Sequence, residues 1–257
     1  MALSPDFRSY SGARPAETAA VLDAGLRAYM LRVYNWMASG LLLTGVVAYA
    51  IANTSLIDAF YPMVETPYGL RHAPGGLAWL AMIAPLGFVL VLSFGVNKLA
   101  TRTVQALYWA FCVAMGASLT NIFLIYSGTS IVRVFFITAA TFGAMSLYGY
   151  TTRSDLTRMG SFLVMGLIGI IIAGVVNMFV GSAGLQFAIS IIGVLVFVGL
   201  TAYDTQRIKA DFVQYAYSYG SDMAIRRSVY DALSLLLNFI NLFMLLLQLT
   251  GNRNSNS

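Results

Sequence analysis

The stretch Tyr230–Leu249, YDALSLLLNFINLFMLLLQL, constrains this chain more than any other. It has the length of a membrane-crossing helix, which needs about 20 predominantly apolar residues. Its polar residues are not scattered: Asp231, Ser234, Asn238, Asn241 and Gln248 recur at steps of three, four, three and seven, which places them on one stripe of a helix. A polar side chain facing lipid is costly, so the stripe must face protein or water. Two readings fit. The stripe is either the wet, inward side of a helix enclosed by others, or a seam of interhelical hydrogen bonds. Both put this helix at the centre.

Six more apolar runs precede it, giving expected spans at 30–52, 77–97, 104–126, 131–151, 161–180, 185–205 and 230–249. Only 10% of the 257 residues are charged and 59% are hydrophobic, whereas soluble domains carry roughly 25% charged residues. The expected class is therefore an all-α integral membrane protein with seven transmembrane helices. Residues 1–28 are polar and broken by Pro5, Gly12 and Pro15, and read as a flexible cytoplasmic arm rather than a signal peptide. Residues 29–250 form the membrane domain, and 251–257 a short polar tail.

The basic residues orient the spans. With the N-terminus inside, Arg8, Arg14, Arg27, Arg32, Lys98, Arg102, Arg153, Arg158, Arg207, Lys209, Arg226 and Arg227 are cytoplasmic, against Arg71, Arg133 and Arg253 outside. That asymmetry puts the C-terminus outside, unless the seventh span is re-entrant. It also accounts for the basic balance without a nucleic-acid partner. The single cysteine, Cys112, excludes an intrachain disulfide, and the single histidine, His72, has no second histidine with which to build a metal site. Gly116, Ala139, Gly143, Gly169 and their small neighbours read as positions of close helix packing. Between spans four and five, Asp155 reads as a cap for the helix that follows.

Asp204 is the one carboxylate that terminates an otherwise apolar span, in FVGLTAYDTQRIK. An ionisable group at that depth marks a functional site by default, although Arg207, three residues on, offers it a purely structural salt bridge. Tyr203-Asp204-Thr205-Gln206, GASLTNIF at Gly116–Phe123, YGYTTRSDL and ALSLLLNFINLF occur in order along the chain. Together they resemble the transmembrane Bax inhibitor motif family, called Bax inhibitor-1 or YccA-like in bacteria, over about residues 30–249.

The resemblance implies a fold in which the last helix is wrapped by the other six, and a proton-sensitive leak of calcium across the membrane. It further implies a pair of carboxylates, one in the YDTQ element and one in the last helix, that share a proton and close the cytoplasmic mouth. Carboxylates in contact cannot both ionise cheaply, which makes such a pair a pH switch. This chain departs from the pattern there: Leu236 stands for the usual tyrosine and Asn238 for the usual aspartate. Asp204 can bond to Asn238, but an amide does not titrate. Asp231, two turns from Asn238 and roughly 10 Å nearer the cytoplasm, could supply a displaced acid partner. Lys98, Arg102 and Arg207 are candidate cations for Asp204. Asp204, Asp231, Asn238 and Asn241 thus form the expected ion path and gate. Calcium takes six to eight oxygens, so Asp204 would hold it weakly and transiently.

A YccA-like chain could instead modulate a membrane-bound ATP-dependent (AAA) protease, with residues 1–28 as the contact. An enzyme is not expected. No second intramembrane aspartate motif follows Tyr203-Asp204, no span carries a histidine, and the last helix has no lysine for a Schiff base. No cofactor is implied.

Overall fold

The computed structural model describes residues 15–66, 69–95, 99–215 and 221–253. In chain order these form α1 (Pro15–Ala52), α2 (Leu56–Phe60), β1 (Met63–Thr66), β2 (Gly69–His72), α3 (Gly76–Gly95), α4 (Thr101–Leu119), α5 (Asn121–Ile125), α6 (Gly128–Thr151), α7 (Thr157–Val180), α8 (Ala183–Tyr215) and α9 (Ser221–Thr250). Seven segments are long and apolar enough to cross a membrane, with α4 and α5 together making the third. All seven coincide with the apolar runs of the sequence.

The differences lie where hydropathy stops carrying the signal. Helix α1 starts at Pro15 and already buries Leu26, so the expected arm of residues 1–28 gives way to helix over its second half. Its first part, residues 1–14, lies outside the described residues. Helix α8 runs past its expected end to Tyr215 and α9 begins at Ser221, because the two continue beyond the apolar zone as a charged pair. Arg227 of α9 bonds to Asp211 of α8 at 3.1 Å there. The 53–76 connection is not a plain loop. It holds α2 and an antiparallel β1–β2 hairpin in which Met63 faces His72 and Glu65 faces Leu70. His72 serves this hairpin: its Nδ1 lies 2.6 Å from the Tyr61 carbonyl oxygen.

Helix α9 is the core. Of its most apolar window 56% is buried, against 11% for α7. Leu235, Leu236, Leu242 and Leu247 are fully enclosed. Its packed neighbours are α1, α4, α6 and α8, whereas α3 packs on α4 and α7 on α8. The expected wrapping by six helices is thus a wrapping by four, with two in an outer position. The reason is the side chains of the outer pair: Leu80, Ile83 and Leu86 of α3, and Phe162, Met165 and Phe179 of α7, point away from the bundle.

The ends of α9 are tied to opposite ends of the bundle. Near its start, Arg226 donates to the Leu99 carbonyl and Asp222 accepts from the Thr101 hydroxyl, both ahead of or at the first turn of α4. Past its end, Asn252 exchanges bonds with Ser127 and Ser130, in the turn that follows α5. A continuous 30-residue helix is about 45 Å long, enough to cross a bilayer.

Only some small residues serve close approach. A Cβ on Gly116 would stand 2.6 Å from the Thr44 carbonyl oxygen, whereas Gly143 and Gly169 face open space. Among the described glycines the tightest approach to backbone involves Gly149, where a Cβ would fall 2.2 Å from the Ala202 carbonyl oxygen of α8.

Candidate functional site

The YDTQ tetrapeptide sits on α8 where that helix meets α9, α6 and the turn before α7, and each residue serves a different neighbour. Tyr203 lays its ring over Gly160 of α7, a position where any Cβ would collide with the ring. Thr205 is fully buried, donates to the Thr201 carbonyl and lies 2.9 Å from the Ser146 hydroxyl of α6, which in turn bonds to Tyr34 of α1. Gln206 accepts from the Leu156 N–H and donates to the Ser154 carbonyl, both at 2.8 Å, and so fastens the turn between α6 and α7. Asp155 in that turn accepts from the Thr157 N–H at 2.9 Å, so it satisfies a free donor at the start of α7 from one residue ahead of the N-cap position, Leu156. The Thr157 hydroxyl and then its backbone N–H hold the Asp155 carboxyl below its usual pKa.

Asp204 is the charged member and is buried as well, 6% exposed. Its Oδ2 accepts from the Asn238 amide at 2.7 Å and from the Ser234 hydroxyl at 3.0 Å, both on α9. Its Oδ1 faces Nη2 of Arg207 at 3.0 Å. Arg207 is half exposed and its guanidinium also stands over the Tyr203 ring. The result is a clasp: one carboxylate on α8, two donors on the central helix and a single cation beside them. Charge-assisted bonds of this kind are about twice as strong as neutral ones.

The structure sorts the other expected site residues. Asp231 does not pair with Asp204. Its Oδ2 accepts from the Tyr29 hydroxyl of α1 at 2.6 Å, and Nε of Arg227 lies 3.8 Å from its Oδ1. The carboxylates therefore serve two separate joints, α8–α9 and α1–α9, because α1 crosses α9 at the depth of Asp231. Tyr29 also stacks on Phe212 of α8, ring centroids 5.0 Å apart, which ties three helices together. Asn241 does not join the clasp: it is exposed and spends its amide on the Leu237 carbonyl of its own helix. Gln248 belongs to a second polar cluster at the opposite end, where Gln186 and Ser190 of α8 both donate to it. Arg102 is exposed and Arg207 supplies the cation of Asp204 in its place. Lys98 lies outside the described residues. Among the described residues no three of His, Cys, Asp and Glu gather as metal ligands.

Sequence reasoning missed Tyr29, Tyr34 and Ser146. Nothing in their local pattern marks them, since their partners lie 202, 112 and 59 positions away.

Seven helices of membrane-crossing length, the last of them buried among four of the others and latched to α8 by the Asp204 carboxylate, define a polytopic α-helical membrane protein with a polar joint at one end. A family model described as inhibitor of apoptosis-promoting Bax1 matches residues 26–255. The chain belongs to this Bax inhibitor-1 family. It is 44% identical over 230 residues to inner membrane protein YbhL of Escherichia coli, covering 90% of this chain and 94% of the relative. It is also 47% identical over 232 residues to an uncharacterized protein of Rickettsia prowazekii, 90% and 92% covered, and 45% identical over 254 residues to one of Caulobacter vibrioides, 96% and 98% covered.

Proposed function

We propose that this protein is a passive cation leak, with calcium as its cargo, closed at its cytoplasmic mouth by the Asp204 clasp. The observation that carries this reading is the buried Asp204 carboxylate held jointly by Asn238 and Ser234 of the central helix and by Arg207. Releasing it would free α8 from α9 where the basic residues gather, and would offer a cation a carboxylate at the mouth. With few oxygens available, calcium would pass through weak coordination rather than be stored. The excess of Lys and Arg supports a reading in which that mouth and the N-terminus lie in the cytoplasm, and the C-terminus outside, of a bacterial inner membrane.

Asn238 bears on regulation. As an amide it donates to Asp204 and carries no titrating proton, so this contact lacks the shared proton of a two-carboxylate switch. The reading therefore entails a leak with little pH response from this joint. Calcium flux into proteoliposomes between pH 6 and 8 tests it. Flux should exceed that of empty vesicles, change in Asp204→Asn, and acquire pH dependence in Asn238→Asp. Flux indistinguishable from empty vesicles in all three proteins would sink the channel reading.

A further inference from the structure

One helical turn beyond the clasp, α9 faces an apolar crevice of about 100 Å³. Its walls include Leu41 and Gly45 of α1, Ile131 and Phe135 of α6, and Phe239 and Phe243 of α9, with the α4–α5 junction at its outer end. Thr44 is the one polar side chain on these walls, and its hydroxyl donates to the Cys112 carbonyl at 3.2 Å. An ordered water needs two to four polar partners, and this crevice supplies almost none. Hydrocarbon suits it.

The place of the crevice says which hydrocarbon. Helices α1 and α6 both pack on α9, but they do not pack extensively on each other. Their hydrogen-bonded contact, Tyr34 with Ser146, lies at the clasp end. The crevice occupies the seam left between them in the other half of the bundle. Residues next to its walls point outward: Leu42 and Val46 beside Leu41 and Gly45, Val132 and Phe136 beside Ile131 and Phe135. Leu42 is 69% and Phe136 66% exposed, so the seam is continuous with the lipid-facing belt. At its edge Gly45 contributes no side chain, and a Cβ there would meet no atom within 4 Å. A cavity of about 150 Å³ holds benzene, so this one takes a few methylenes rather than a headgroup.

We propose that the α1–α6 crevice binds the end of a lipid acyl chain, which enters sideways from the bilayer and rests on Phe239 and Phe243 of the central helix. The inference is independent of whether the protein conducts ions.

The test uses the full chain in vesicles of phosphatidylcholine bearing a photoreactive diazirine at the end of one acyl chain. After irradiation, adducts are mapped by mass spectrometry. Wild type should carry adducts on the crevice residues Phe135, Phe239 or Phe243, as well as on the outward-facing Leu42 and Phe136. Gly45→Leu, which fills the crevice from a position free of neighbours, should lose the crevice adducts and keep those on Leu42 and Phe136. Ile131→Phe, which fills it from the opposite wall, should do the same. Retained labelling of Leu42 and Phe136 at wild-type level reports that each variant is folded and inserted. Crevice residues that stay unlabelled in wild type while Leu42 and Phe136 are labelled would overturn the proposal. So would crevice adducts that persist in both filled variants.

Discussion

Asp204 and Asp231 lie on neighbouring helices at the same end of the molecule, yet they are held by different chemistry. Asp204 depends on an amide and a hydroxyl of α9, and Asp231 on a phenol of α1. Asn238→Leu leaves Asp204 with one donor fewer in a buried setting, and a loss of about 1–3 kcal/mol is expected. Tyr29→Phe deletes a single hydroxyl and should cost a similar 1–3 kcal/mol through the unpaired Asp231 oxygen. Thermal unfolding in detergent, followed by the midpoint, checks both. In Asn238→Asp the two carboxylates must share a proton, so that variant should lose more stability than wild type as pH rises from 6 to 8. A profile parallel to that of wild type would show that the two side chains separate instead. The special place of Asp204 was legible in the sequence because a carboxylate inside an apolar run has few affordable settings. Its cation was legible too, because Arg207 stands three residues on in the same helix, where a salt bridge forms; Arg102 and Lys98 could not be placed until the helix directions were known. Asn241 misled for a geometric reason. It lies at the edge of the polar stripe, where a small rotation of α9 turns it outward.

At the level of elements, the contacts divide helix pairs into those set by backbone approach and those set by side-chain fit. Gly149 touches the backbone of α8 at Ala202, which cannot move without shifting the helix. Gly149→Ala should therefore cost about 1–3 kcal/mol, as overpacking does. Gly143→Ala on the same helix meets no atom and should be neutral or stabilising by up to about 1 kcal/mol, since glycine is a poor helix former. Opposite signs of the shift in thermal midpoint for these two variants are the check. The turn between α6 and α7 rests on Gln206 and Asp155. The depressed folded-state pKa of Asp155 means its contribution is fully present above its ordinary pKa of 3.8 and is lost as pH falls through the lower folded value. Protection of the Thr157 amide from hydrogen exchange should fall along that acid limb in wild type and lose its pH dependence in Asp155→Asn. Small residues alone did not reveal which glycines matter, because exposure to lipid and contact with a helix leave the same composition.

For the whole molecule, the seven spans were legible because hydrocarbon imposes length and composition on every helix that crosses it. The wrapping by four rather than six was not, because which helix stands outside depends on packing between segments far apart in the chain. The tie of Asn252 to Ser127 and Ser130 places the C-terminal end beside the α5–α6 turn. In spheroplasts, a cysteine at Arg253 should react with an impermeant maleimide and one at Arg153 should not; the native Cys112 is buried and gives a low background. Reversal of that pattern would invert the topology. The buried position of α9 also bears on how the protein is made. The helix at the centre follows the other six in the chain, so those six enter the bilayer before the segment that fills their core. Until α9 arrives, Asp204 lacks two of its three partners and a core of leucine and phenylalanine contacts is missing. Nascent chains stopped before Ser221 should therefore lack stable packing of the first six helices, and completion of the core should await the 30-residue α9.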